Sequence, residues 1–500
     1  MGHGPGLLIL RLFADHVTGR RDNMKHQAVS RRKFLGLTAL AAGGVALSAC
    51  TPTPAPTAAS TGASEQPTQA AVEPSPAGAT PAPGLAGEIE YFTYDLGAAN
   101  ASRESIVQAF QEQNPGTKVK LTFLPYGENW DKLAALMAAG SPPDVIYGDF
   151  SMLRYALEGQ LLDLTEWFNN DPVLTKNELF TMDMRDPVQA MFGTSHLYNL
   201  ILGTWVPVLY YNADIFAAAG EDVPNEDWTW DDVRVAAKKL VDPAQQQYGM
   251  QFGTSLDVLG WLWWQHGATD LWAVPQIFPE KTDFANPIGA QVLSHWYDFG
   301  YVDKSAVPFA EMDSYQAYGA AFGAGKCAMA VGGDWDAGWS YREVPFNWGV
   351  TFLPTVKKDY EPALNCMVAT NSIAKGTKFP EVAWQLARFM SASVEGQAAI
   401  GEGAYETPVL KEVAHSDAVL KPEWAKPGYE VRVRAAELPG PMRCPYPLNL
   451  NLWEFPSKHI DPTVEKLSTG EIKPEEAVAY LDKEGTPYFA EMKKAMPQIN

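Results

Sequence analysis

The chain has 500 residues, room for two or three domains, and its 46% hydrophobic and 12% aromatic content supports a sizeable core. Its formal charge is −21; setting aside residues 1–49, which hold 7 Lys/Arg and 2 Asp/Glu, the remaining 31 basic and 57 acidic side chains leave −26. So acidic a surface argues against nucleic acid and against a broad electrostatic membrane patch as partners.

Residues 1–23 carry no recognisable pattern, and Met24 is a candidate true start. Met24–Cys50 has the three parts of an export signal. A basic stretch from Lys25 to Lys33 precedes an apolar run from Phe34 to Leu47, too short and Gly-rich for a membrane-spanning helix. The run ends in Leu47-Ser48-Ala49-Cys50, which looks like a lipobox, so residues 1–50 read as a signal region and Cys50 as the lipidated first residue. Ser30-Arg31-Arg32-Lys33-Phe34-Leu35 resembles the twin-arginine motif and implies export in the folded state; a Sec signal with an incidental arginine pair is the alternative. Residues 51–86 are almost wholly Thr, Pro, Ala, Ser, Gly and Glu, too polar to offset the entropy of ordering, and read as a disordered tether.

From Gly87 onward strands alternate with helices. Ile89–Thr93 reads as a strand and Ser102–Gln113 as a helix with Ile106, Val107 and Phe110 on one face. Lys118–Leu124 alternates as a strand, Trp130–Ala139 is helical, and Asp144–Tyr147 is a short buried strand after Pro142-Pro143. This α/β order implies βαβ units and a mostly parallel sheet, on which ligands sit at the carboxyl ends of the strands. That places Tyr94, Asp95, Asp149 and the loop of Tyr126–Glu128 at a candidate site, with Glu128 and the following Trp130 chosen from that loop. Asp95 has the alternatives of capping the next helix or facing water.

Several later segments carry a resemblance. Phe110-Gln111-Glu112-Gln113-Asn114-Pro115-Gly116 is followed by Ser141-Pro142-Pro143-Asp144-Val145 and Glu158-Gly159-Gln160-Leu161-Leu162-Asp163-Leu164. Then come Leu209-Tyr210-Tyr211-Asn212-Ala213-Asp214, Trp228-Thr229-Trp230-Asp231-Asp232 and Phe322–Met329 leading to Gly332-Gly333-Asp334-Trp335. Pro380-Glu381-Val382-Ala383-Trp384 and Gly403-Ala404-Tyr405-Glu406-Thr407-Pro408 complete the series. In this order and spacing, residues 87–500 resemble family 1 of the extracellular solute-binding proteins, the sugar-binding lipoproteins of ABC importers.

The resemblance implies a two-lobe, periplasmic-binding-protein-like fold of type II, with discontinuous lobes closing about hinge crossings. The crossings are expected near Trp205–Tyr210, Pro362–Met367 and Gly403–Pro408. Lobe 1 would hold residues 87–205 and 366–405, and lobe 2 residues 206–365 and 406–500. The implied partners are a sugar or oligosaccharide, the importer's permease subunits and, through the lipid, the outer face of the cytoplasmic membrane. No cofactor or metal is implied.

All sixteen tryptophans lie after residue 129. A sugar presents an apolar C–H face and a rim of hydroxyls, which suits an aromatic platform with polar handles. The resemblance assigns the platform to Trp335, with Asp334 beside it to accept hydroxyls; a core indole capping a strand is the alternative. Trp205 either faces the cleft or seals the hinge. Of Trp261, Trp263 and Trp264, which cannot share one helix face, Trp261 is taken for the cleft. Tyr405 at the third crossing and Trp453 in Asn449-Leu450-Asn451-Leu452-Trp453-Glu454 complete the ligand-binding set. Trp228 and Trp230 are expected to pack a helix start.

The chain lacks G-x-S-x-G and H-E-x-x-H, and its eight histidines are scattered. Gly323-Ala324-Gly325-Lys326-Cys327 fails as a phosphate loop, with Ala320 at the first glycine position and Cys where Ser or Thr should hold magnesium. The rivals are a secreted carbohydrate-active hydrolase or lyase, and a binder of another cargo such as a peptide or, through Tyr210-Tyr211, ferric iron. Cysteines 327, 366 and 444 fit either one Cys327–Cys366 disulfide or three free thiols.

Overall fold

The computed structural model describes residues 84–186, 189, 194–253, 255–267, 281–312, 320–358, 367–438 and 454–495. These belong to one compact unit, Pro74–Asn500. The export signal, Cys50, most of the tether, Cys366, Cys444 and Trp453 lie outside the described residues. Among the described residues no helix is long and apolar enough to cross a membrane.

Strand β1 (Gly87–Tyr94) buries Ile89, Tyr91, Phe92 and Tyr94, and β2 (Thr117–Leu124) pairs with it in parallel from Gly87↔Thr117 to Tyr94↔Leu124. Helix α1 (Asn100–Gln113) joins them, its Ile106, Val107 and Phe110 stripe turned into the core. Helix α2 (Tyr126–Ala138) follows β2 and leads to β3 (Val145–Gly148), wholly buried and parallel to β1. A strand covered on both faces needs no polar alternation, as Val145-Ile146-Tyr147 shows.

Strand β4 (Asn199–Trp205) closes the first half, and only Val206 separates it from β5 (Pro207–Asn212), which lies in a second sheet. The remaining strands are β6 (Tyr248–Gln251), β7 (Cys327–Gly333), β8 (Trp348–Phe352), β9 (Met367–Ile373) and β10 (Thr407–Pro408). The first sheet has the order β10-β4-β9-β3-β1-β2 and the second β6-β7-β5-β8.

The sheets are mixed, not mostly parallel. Strand β9 runs antiparallel between β3 and β4, and β5 runs antiparallel to both β7 and β8. Both strands enter their sheet from the crossing edge, where the parallel strands end, so they run against their neighbours. In the second sheet, Trp230 opens the helix Trp230–Lys239 behind a capping box of Thr229 and Asp232, as the Trp-Thr-Trp-Asp-Asp run implies. Cys327 begins β7 as a buried free thiol.

The third crossing comes later than expected. After β10 the chain bonds Val409 O to Thr181 N, bridges Leu410 to Phe180 and packs residues 411–420 on the helix Val394–Gly403. Only at Pro427, whose carbonyl accepts from Val350 N at 3.0 Å, does it reach β8. Gly428 (φ +80°) sits there because a methyl would lie 1.9 Å from Val350 O. Residues 406–420, expected in lobe 2, therefore pack with the first sheet. Helix α3 (Val431–Ala436) then touches β4 and β10 of one sheet and β5 and β8 of the other.

Candidate ligand-binding site

Strands β1, β2, β3 and β4 of the first sheet and β7 of the second all end at the crossing edge, and their last side chains meet there. Tyr94 ends β1, Tyr126 and Trp130 begin α2 after β2, Tyr147 lies in β3, Trp205 ends β4 and Trp335 follows β7. Tyr405 comes in ahead of β10.

Their rings form one connected series. Tyr94 lies 4.9 Å from Tyr126, 5.9 Å from Trp130, 5.3 Å from Tyr147 and 6.2 Å from Tyr405, centroid to centroid. Trp205 stands edge-on to Tyr405 at 6.0 Å and to Trp335 at 6.2 Å, and Trp339 joins Tyr405 at 5.8 Å. Edge-to-face contacts of this kind fix ring orientation as well as burying area. Tyr94, Trp205 and Tyr405 form the buried floor; Trp130 and Trp335 are half-buried; Tyr126 and Trp339 are exposed at 40% and 42%.

Beneath the rings lie two buried ion pairs. Arg103 of α1 donates to Glu406, which also accepts from the Tyr147 hydroxyl, and all three are fully buried. This holds the turn in which the Tyr405 carbonyl accepts from Trp205 Nε1 at 3.1 Å and the Tyr405 hydroxyl meets that of Tyr94 at 3.1 Å. Burial pushes the phenols of Tyr94, Tyr147 and Tyr405 well above the usual range, so they stay neutral.

Asp334 forms the second pair. Its Oδ1 accepts from Val206 N at 2.9 Å, its Oδ2 accepts from Thr407 Oγ1 at 2.6 Å, and Arg432 of α3 lies 3.2 Å from Oδ2. The expectation that Asp334 accepts ligand hydroxyls is corrected: at 2% exposure, with both oxygens engaged, it ties β7 to the β4–β5 crossing, to β10 and to α3. Adjacency to Trp335 misleads because the Asp334 carboxylate is buried among Val206, Thr407 and Arg432 while the Trp335 indole is half-buried against Trp205.

Trp335 owes its place to the glycine before Asp334. A methyl on Gly333 would lie 1.9 Å from Trp335 Cζ3, so the indole folds back over Gly333. Gly333→Ala is expected to displace the indole and weaken any ligand that rests on it by about 1 kcal/mol with β7 intact, as overpacking does; calorimetry on the variant reads this directly, and unchanged affinity would detach Trp335 from the site.

The other expected residues divide. Asp95 is exposed, and its Oδ1 accepts from Gly97 N and Asn100 Nδ2, so it holds the turn before α1 without capping the helix itself, whose N-cap is Ala99. Glu128 is exposed in the first turn of α2, and the half-buried Asp149 accepts from Ser151 N at 2.8 Å. Trp261 is 3% exposed in the helix Ser255–Gln265, which packs on Gly289–Trp296 and Asp461–Thr469; no ring contact among the described residues joins it to the series. Tyr147, Trp339, Arg103, Glu406, Thr407 and Arg432 are additions from the structure. Trp339 had a signal, lying four residues after Trp335 on one helical turn. The buried arginines had none.

A family model described as bacterial extracellular solute-binding protein matches residues 95–397. Among curated proteins, the sn-glycerol-3-phosphate-binding periplasmic protein UgpB of Rhizobium meliloti is 30% identical over 176 residues, 33% of this chain and 39% of that relative. The chain matches under two-fifths of the length of the curated relatives. An ABC substrate-binding protein of Listeria monocytogenes, solved in complex with cycloalternan, has a TM-score of 0.68 at 23% identity, covering 79% of this chain and 97% of that one. The cyclic alpha-maltosyl-1,6-maltose binding protein of Arthrobacter globiformis follows with a TM-score of 0.63 at 21% identity, covering 81% and 100%.

Proposed function

Because this chain belongs to the bacterial extracellular solute-binding proteins, we propose that it captures a sugar or oligosaccharide between its two sheets and delivers it, chemically unaltered, to the permease of an ABC importer. The observation that carries the reading is the ring series at the crossing edge, contributed by both sheets and fronted by the half-buried Trp335. Apolar C–H faces would lie on these rings, and contact with both sheets would favour closure. Lipobox-like Leu47–Cys50 and the polar stretch that follows support a tethered position on the outer face of the cytoplasmic membrane. Membership in a family of binding proteins supports capture without turnover.

The match to a glycerol-3-phosphate-binding protein raises a phosphorylated cargo as a second reading. A phosphate wants a cation free to pair with it. The guanidinium groups under the ring series, Arg103 and Arg432, are already paired with Glu406 and Asp334, which favours a neutral ligand. Ferric iron is opposed by Tyr210: its buried hydroxyl donates to Gly333 O at 2.9 Å, and burial raises its pKa away from the tyrosinate.

Titration of the purified chain with neutral mono- and oligosaccharides and with glycerol 3-phosphate, followed by chromatography of the recovered ligand, tests the reading. A saturable shift in thermal midpoint with a neutral sugar recovered intact is expected. A response to glycerol 3-phosphate alone, or a shorter sugar as product, contradicts it.

A further inference from the structure

Two residues beyond Asp334 stands a second buried carboxyl, Asp336, which opens the short helix Asp336–Trp339 after β7. It is 6% exposed, and its Oδ1 accepts from Ser340 Oγ at 2.9 Å. The carboxyl folds back over β7, since a methyl on Gly332 would lie 2.5 Å from Asp336 Oδ2. The ring of Tyr210 on β5 approaches the same point, 3.8 Å from that methyl, and its hydroxyl accepts from Ala337 N at 3.1 Å. Tyr341, also buried, stands edge-on to Tyr210 at 4.9 Å.

The charges around Asp336 do not balance. Among the described residues, the titratable groups that act on it are Asp334 on β7, Tyr210 on β5, Tyr341 after the short helix and Tyr405 ahead of β10. Burial keeps the three phenols neutral. Arg432 of α3 supplies a positive charge, but it pairs with Asp334, to which Val206 N and Thr407 Oγ1 also donate. Asp336 has no ion pair among the described residues, so its ionised form would be a buried charge beside a like one. Burial, opposed by the Ser340 hydroxyl and reinforced by Asp334, raises the Asp336 carboxyl to about 7.

The helix that Asp336 opens is pressed onto the first sheet's turns. A methyl on Gly338 would lie 2.6 Å from Ala404 O, and one on Gly97 (φ +60°) would lie 2.8 Å from Trp339 Cδ1. We propose that Asp336 is a positioning residue: protonated, it lets this helix dock on the first sheet, and ionised, it frees the helix, which makes the join between the two sheets proton-dependent. The proton passes to solvent, and water reaches the new carboxylate only if residues 336–341 lift away from Gly332 and Tyr210. This device belongs to the chain without ligand and holds whatever the cargo is.

The full, ligand-free chain tests it. The folded carboxyl releases its proton at higher pH than an unfolded aspartate, which ionises near about 3.9. The stability that its protonation contributes is therefore fully present below about pH 4 and lost as pH rises through about 7. In urea unfolding between about pH 5 and 7, the folding equilibrium constant of the wild type should fall about tenfold per pH unit relative to Asp336→Asn, then run level above about pH 8. Amide exchange of residues 336–341, compared with the variant at the same pH, should be alike near about pH 6 and about tenfold faster in the wild type near about pH 8.5. Should Asp336→Asn not fold, Ser340→Ala, which removes the hydrogen bond favouring the carboxylate, should move the exchange midpoint to higher pH. Parallel pH profiles in wild type and Asp336→Asn, a titration of stability without faster exchange at 336–341, or a midpoint unmoved by Ser340→Ala overturns the assignment, and the saccharide reading is untouched by any of these.

Discussion

Glu406→Ala is expected to lower the unfolding free energy by about 3–5 kcal/mol, because it strands a guanidinium in the protein interior. Arg103 and Glu406 are each 0% exposed, and the pair lies under the ring series with the Tyr147 hydroxyl on the same carboxylate. The Tyr147 ring lies 5.2 Å from the Arg103 guanidinium and its hydroxyl donates to Glu406, but neither supplies an opposite charge that could replace the carboxylate. Equilibrium denaturation in urea measures the loss. Arg103→Met combined with Glu406→Leu should recover most of it, since a buried pair exchanged for well-packed apolar groups is often near neutral. A loss below about 1 kcal/mol in the single variant would show that water reaches the pair.

The second large effect falls on binding. Trp335→Ala should weaken the preferred sugar by about 1–3 kcal/mol, the range for losing an aromatic anchor with its edge-on partner. Because Trp335 is half-exposed and the turn after β7 is held by Asp334, not by the indole, the fold should survive; an unchanged thermal midpoint without ligand checks this. Trp335→Tyr should retain part of the affinity. Equal affinity in wild type and Trp335→Ala would place the ligand elsewhere.

Local patterns carried much of the first sheet. The alternation of Lys118–Leu124 and the apolar run ending in Tyr147 are periodicities that a sheet imposes residue by residue, and the strand ends they mark lie beside Tyr94 and Trp130, whose rings are in contact. The Gly332-Gly333-Asp334-Trp335 run located the second sheet's contribution. Long-range packing was not legible in the same way. The stay of residues 409–420 with the first sheet depends on Phe180 and on the helix Val394–Gly403, hundreds or tens of residues away in sequence.

Buried charge was hidden for a different reason. Arg103 in α1 and Arg432 in α3 lie in stretches where charged side chains ordinarily face water, and only their distant partners, Glu406 and Asp334, make burial tolerable. Trp261 failed in the opposite direction: its helix is apolar nearly all round, so no face stood out as the cleft face.

The crystal structure of the protein with its tightest-binding sugar tests the central claim most directly. The account predicts sugar density on the Trp335 face, within contact distance of side chains from both sheets, with every glycosidic bond intact. Density away from the ring series, or confined to one sheet, would contradict it.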